Sequence, residues 1–136
     1  MKYMMIMNCP KSGYDSFNSW PKDDIKAHIA WQMNFDKLMR ASGVLISAEG
    51  LASPKEAKIV RAGKDGEPVI DDVFPETKEF LAGYWIVEVD TPEEAYGLAA
   101  KASSAPGPGG APMNMPIELR QVMSGPPEEY LPEGGR

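Results

Sequence analysis

The run GYWIVEV at residues 83–89, followed at once by Thr91-Pro92-Glu93-Glu94, constrains the fold more than any other part of the chain. The run is rich in aromatic and β-branched side chains, which suit a pleated, half-buried surface, so it predicts a strand. The residues after it place Thr at a helix cap, Pro at the first helical position and Glu at the third, which is the chemistry of a helix start. Strand alternation puts Trp85, Val87 and Val89 on one face and Tyr84 and Ile86 on the other. Both faces are apolar. Helices that cover one of them leave the other open, and an exposed apolar patch marks an interface. The pattern therefore predicts a homodimer packed sheet to sheet.

The remaining elements follow from periodicity and breakers. Residues 3–9 are a short apolar run that ends at Pro10, which reads as a buried strand. Residues 11–20 read as a turn-rich loop. Pro21 stands at a helix start, Asp23 and Asp24 suit the positive end of the helix dipole, and Gly43 is the natural stop of a helix over residues 22–42. Residues 44–47 predict a second strand, and residues 58–62 and 67–70 a hairpin around Asp65-Gly66. The second helix runs from the Thr91 cap to about residue 103. Residues 105–116 form a Pro/Gly-rich loop, and residues 117–123 a last strand. This order gives one α+β domain over residues 1–123, a sandwich with helices on one sheet face, and a C-terminal tail over residues 124–136.

Charge narrows the function classes. A net charge of −6 over 136 residues argues against binding a phosphate backbone, which needs a basic footprint, so no nucleic acid is expected. The single cysteine, Cys9, excludes an internal disulfide framework and fits a reducing compartment. The apolar run near the N-terminus is too short for a signal-peptide core or a membrane span. The expectation is a cytoplasmic protein without a membrane partner.

Two places concentrate chemistry. The string DDVFPETKEF at residues 71–80 packs Asp71, Asp72, Glu76, Glu79, Lys78 and Thr77 around a Phe-Pro. Its acids could hold a metal through oxygen ligands, but they lack calcium-loop spacing and have no His or Cys nearby. A turn closed by its own hydrogen bonds accounts for them without a metal, and none is expected. The other place is the first helix, where His28, the only histidine, falls on the apolar stripe with Gln32, and Asp36 lies at its edge. His28 is either a general base or ligand in a cleft beneath the helix, or a satisfied structural histidine. Arg61 and Lys78 can pair with the acids or bind an anionic ligand. Glu118 and Arg120 share one strand face and suit an ion pair. Nothing resembles a P-loop, a Ser-His-Asp set or a zinc site, and no cofactor is expected.

Six pieces carry a family resemblance: KYMMIM (residues 2–7), ASGVLISAEGL (41–51), AKIVRAGKDG (57–66), DDVFPETKEFLAGYWIVEV (71–89), TPEEAYGLAAKA (91–102) and IELRQV (117–122). In this order they resemble the YCII-related family, in the branch with an Asp-Gly-Pro-Phe (DGPF) motif. The resemblance implies a ferredoxin-like βαββαβ fold that dimerises into an α/β barrel. Here Asp71-Asp72-Val73-Phe74 stands where the branch has Asp-Gly-Pro-Phe. The helix histidine of short family members, proposed there to act with an aspartate, falls on the column of Gln32, so a catalytic His–Asp pair does not carry over. The resemblance and the residues together predict a small polar ligand in a cleft, with enzymatic turnover left open. Glu49, Arg61, Asp72, Glu76, Lys78 and Glu79 would line it, Gln32 and His28 would lie deeper, and the 106–116 loop is a candidate cover. The alternative is a regulatory module linked to transcription initiation and sigma factors through a protein partner, without direct DNA contact. An oxygenation or elimination rests on fold analogy alone.

Overall fold

A computed structural model describes residues 1–71 and 79–133. The expectations that fall on Asp72, Glu76 and Lys78 lie outside the described residues. Four strands form one antiparallel sheet: β1 (Lys2–Cys9), β2 (Leu45–Gly50), β5 (Phe80–Glu88) and β6 (Ile117–Gln121), in the order β2-β5-β1-β6. Two more, β3 (Ile59–Ala62) and β4 (Pro68–Asp71), pair only with each other as a separate ribbon. Three helices complete the fold: α1 (Lys11–Phe17), α2 (Lys22–Ala41) and α3 (Pro92–Ser103).

The chain leaves β1 through α2 to β2 and leaves β5 through α3 to β6. Each link skips one strand, so two split β-α-β units interleave, an α+β arrangement compatible with a ferredoxin-like fold. Strand β6 pairs with β1 from Ile117 to Gln121, and the Val122 amide donates to the Lys2 carbonyl. The folded sheet therefore extends through residue 122.

Both long helices pack on one sheet face. Phe35 and Met39 of α2 and Ala95, Ala99 and Ala102 of α3 meet Met5, Trp85, Val87 and Val89. Met5 and Val87 are fully buried, and each burial stabilises the fold by about 1.5–3 kcal/mol. The alanines on α3 let that helix lie close to β6. The expected split of residues 84–89 between two faces is present, with Tyr84 and Ile86 half-buried on the side away from the helices.

The helix ends follow their chemistry, with one difference. Gly43, at φ +78°, ends α2: its amide donates to the Arg40 carbonyl and the Val44 amide to Met39, the bonding of a Schellman motif. Thr91 caps α3, its Oγ1 accepting from the Glu94 amide at 3.3 Å, with Pro92 in the first position. Pro21, in contrast, occupies the cap position of α2 and offers no side-chain acceptor.

Residues 11–20 depart from the expected loop, since the first half forms α1. Tyr14 of this helix packs edge-on against Phe80 at 5.7 Å, and Gly13 lies against Cys9, where a Cβ would be 3.3 Å from Sγ. Tertiary contact thus outweighs a helix-poor composition of Ser, Gly and Asp.

Candidate functional site

A cleft of about 110 Å³ opens between α2 and the end of the sheet where β5 begins. Gln32 and Asp36, one helical turn apart on α2, form its upper wall. Met7, Ala48, Gly50, Gly83 and Trp85 form the floor. Gly83 is what keeps the floor open, since a Cβ there would lie 2.8 Å from the Glu49 carbonyl oxygen and 3.4 Å from the Gly50 Cα. Both are backbone atoms and cannot rotate away.

Asp36 is held in place by the sheet. The indole Nε1–H of Trp85 donates to Asp36 Oδ1 at 2.7 Å. Trp85 itself is buried, so its N–H needs an acceptor, and the carboxylate supplies one. One carboxylate oxygen is thereby fixed and the second is left for the cleft. Among the described residues, the Gln32 side chain takes part in no hydrogen bond. The cleft thus presents an oriented carboxylate and an unengaged amide above a glycine floor.

Of the residues expected to line a common cleft, the structure brings Gln32 to it and leaves Glu49 at its border. The register of β2 shifts between Leu45 and Ser47, so Ala48 faces Trp85 and Glu49 faces Tyr84. The Glu49 side chain therefore belongs with Tyr84 on the open sheet face, and its main chain borders the cleft. Arg61 stands on the β3–β4 ribbon, 3.6 Å from Asp71, in a largely exposed pair worth under about 1 kcal/mol. It does not line the cleft. Glu79 is exposed just before β5 and lies near Cys9. Burial, and then the charge of Glu79, push the Cys9 thiol above its ordinary value.

His28 is not in the cleft. It is buried near the start of α2, where its Nδ1–H donates to the Pro106 carbonyl at 2.9 Å. Its ring meets the edges of Phe17 at 5.4 Å and Trp20 at 5.7 Å. The loop after α3 closes on this cluster: the Gly109 amide donates to Asp24 Oδ2, and the Gly107 amide to the Ala111 carbonyl. That loop seals His28 instead of covering the cleft, and none of its residues lines the cleft. Of the two readings of His28, this geometry matches the satisfied structural histidine.

Helical periodicity puts Asp36 only at the edge of the apolar stripe, and strand alternation marks neither Gly83 nor Trp85 as part of a site. Asp36 had one available signal, its spacing of four residues from Gln32. Trp85 had another, as a strand tryptophan on the covered face requires an acceptor. No cluster of three or more His, Cys, Asp or Glu side chains suited to a metal occurs among the described residues. No helix among them is long and apolar enough to cross a membrane.

Residues 1–108 match the YCII-related domain, and the chain belongs to that family. The match ends before β6, which the sheet nonetheless includes. No curated protein matches the chain.

Proposed function

We propose that this YCII-related protein binds a small polar molecule in the cleft beneath α2, as one half of a homodimer packed sheet to sheet. The convergence of Gln32 and Asp36 over the Gly83 floor carries the binding reading. Among the described residues, the polar side chains that reach the cleft from α2 are an amide and an oriented carboxylate, groups that bind by hydrogen bonds and charge. Thermal shift against a metabolite set tests the binding reading. A ligand present at about 100 times its dissociation constant adds roughly 2.7 kcal/mol of stability. The shift should vanish in Gln32→Ala, and the absence of any stabilising compound would overturn the reading.

The dimer draws its support from the open sheet face. Register aligns Ile86 with Met4 and Tyr84 with Ile6, an apolar strip down the two central strands. Ser47 and Glu49 border it on the β2 edge, and Glu118 and Arg120 on the β6 edge, the latter two 4.0 Å apart. An apolar centre with a charged rim is the anatomy of an interface core. On this reading two such sheets close into the α/β barrel that the resemblance to the DGPF-type branch implies. Sedimentation at micromolar concentration should give a dimer, and a clean monomer would end the proposal.

The regulatory alternative draws on a different surface. Helix α2 leaves Ile29 and Met33, four residues apart on one flank, exposed. If that surface contacts a protein partner in transcription initiation, Met33→Asp removes the captured partner in a pull-down. An unchanged capture profile counts against it.

A further inference from the structure

We propose that the cleft is selective for a small organic cation, a primary ammonium group on a few heavy atoms, and that Asp36 is the residue that contacts it. This rests on the cleft being the binding site.

The inference starts from the donors and acceptors that face the space. The indole N–H of Trp85 is committed to Asp36 Oδ1. That leaves the second Asp36 oxygen, which accepts only, and the Gln32 amide, which offers a carbonyl and an NH₂ group. Among the described residues, the side chains lining the cleft include no Lys, Arg or His. Among the described residues on the α2 side, an anion entering there meets the Asp36 charge and the Gln32 amide as a side-chain donor. An ammonium group has three donors and no acceptor, so it satisfies both the Asp36 oxygen and the Gln32 carbonyl, with its third proton turned to water. Asp36 and Gln32 are half-buried, which screens this attraction less than at an open surface. The net charge of −6 adds a long-range field of the same sign.

Orientation supports the same assignment. A free aspartate on a helix surface samples several rotamers, whereas Trp85 fixes one oxygen of Asp36 and so directs the other. Gly83 borders the space of about 110 Å³, and any side chain there would meet the β2 backbone. The cleft therefore takes a head group and a short stem.

Amide chemical-shift mapping of the whole chain with ethylammonium, acetamide and acetate, at matched ionic strength, tests the proposal. Ethylammonium should move the signals of residues 32–36 and 83–85 saturably. Asp36→Asn keeps an acceptor for Trp85 but removes the charge, and should weaken ethylammonium about tenfold or more, as expected for a charge-assisted hydrogen bond. Gln32→Glu acts in the opposite direction and should tighten it. Affinity unchanged in Asp36→Asn, or weakened in Gln32→Glu, overturns the role of Asp36. Saturable shifts at the same signals with acetate or acetamide, at equal or higher affinity, overturn cation selectivity and leave the cleft as a binding site. No saturable shift with any of the three probes overturns both this inference and the binding reading beneath it.

Discussion

Replacing His28 separates its structural role from a catalytic one, and the size of the effect can be worked from its contacts. His28→Phe keeps an aromatic ring between Phe17 and Trp20 but removes the Nδ1–H bond to Pro106. A neutral hydrogen bond of this kind is worth about 0.5–1.5 kcal/mol, so about 1 kcal/mol should be lost. His28→Ala also removes two edge-to-face contacts, each worth about 0.5–1.5 kcal/mol. The contributions overlap within one cluster, so the expected total is about 2–4 kcal/mol. At this chain length roughly 3 °C of Tm accompanies each kcal/mol, giving a fall of about 3 °C for Phe and about 6–12 °C for Ala. Thermal and urea unfolding followed by circular dichroism measure both. Hydrogen exchange locates the effect: the Gly107 and Met113 amides, bonded to Ala111 and Ala105, should lose protection before the β1–β5 ladder does. Equal costs for Phe and Ala would refute the ring contribution. A cost below about 1 kcal/mol for Ala would refute the structural assignment altogether.

Three further outcomes follow from single contacts. Gly83→Ala places a methyl 2.8 Å from the Glu49 carbonyl oxygen. Overpacking of about 1–3 kcal/mol exceeds the roughly 0.5–1 kcal/mol that Ala recovers over Gly in a strand, so Tm should fall, and a rise would contradict the close approach. Thr91→Ala removes the acceptor for the Glu94 amide and should cost about 1 kcal/mol in denaturant unfolding, whereas Thr91→Ser should cost much less. Thiolate absorbance of Cys9 should titrate above the ordinary thiol value of 9.0. Because the unfolded thiol loses its proton first, the unfolded state binds fewer protons in that window, and stability should decline as pH rises from 9.0 toward the raised value. A midpoint at or below 9.0 would contradict the burial of this side chain.

What could be read from the sequence was what local chemistry determines. The glycine stop of α2, the Thr91 cap, the Asp-Gly turn with Gly66 at φ +86°, and the two faces of β5 each depend on a few adjacent residues. What could not be read depends on contacts between distant residues. Helix α1 is held by Tyr14 against Phe80, 66 positions along the chain, a contact that no propensity encodes. The Asp36–Trp85 bond joins residues 49 apart, so helical periodicity marked Asp36 only as a stripe edge. Periodicity leaves His28 open to a cleft or a core, and what decides is the 105–112 loop, 78 residues away at Pro106, which supplies its acceptor.

Glu49 shows how one residue of register divides the polar groups of this fold. Between Leu45 and Ser47, strand β2 advances two residues while β5 advances one, from Val87 to Ile86. Without that bulge, strict alternation from Leu45 would turn Glu49 toward α2, beside Gln32 and Asp36, and Ala48 outward. With it, small Ala48 lies on the cleft floor and Glu49 moves to the open face, opposite Tyr84 and in one row with Ile6 and Glu118. A one-residue slip reverses every side chain that follows it in a strand. The bulge therefore has two consequences. Among the described residues it leaves Asp36, oriented by Trp85, as the carboxylate facing the cleft from the helix side, which supports the proposed receptor for one positive charge. It also places an acid beside the apolar strip proposed to meet a second copy. In the proposed dimer the Glu49 side chain lies on the shared face, so a substitution there should alter association before it alters binding in the cleft.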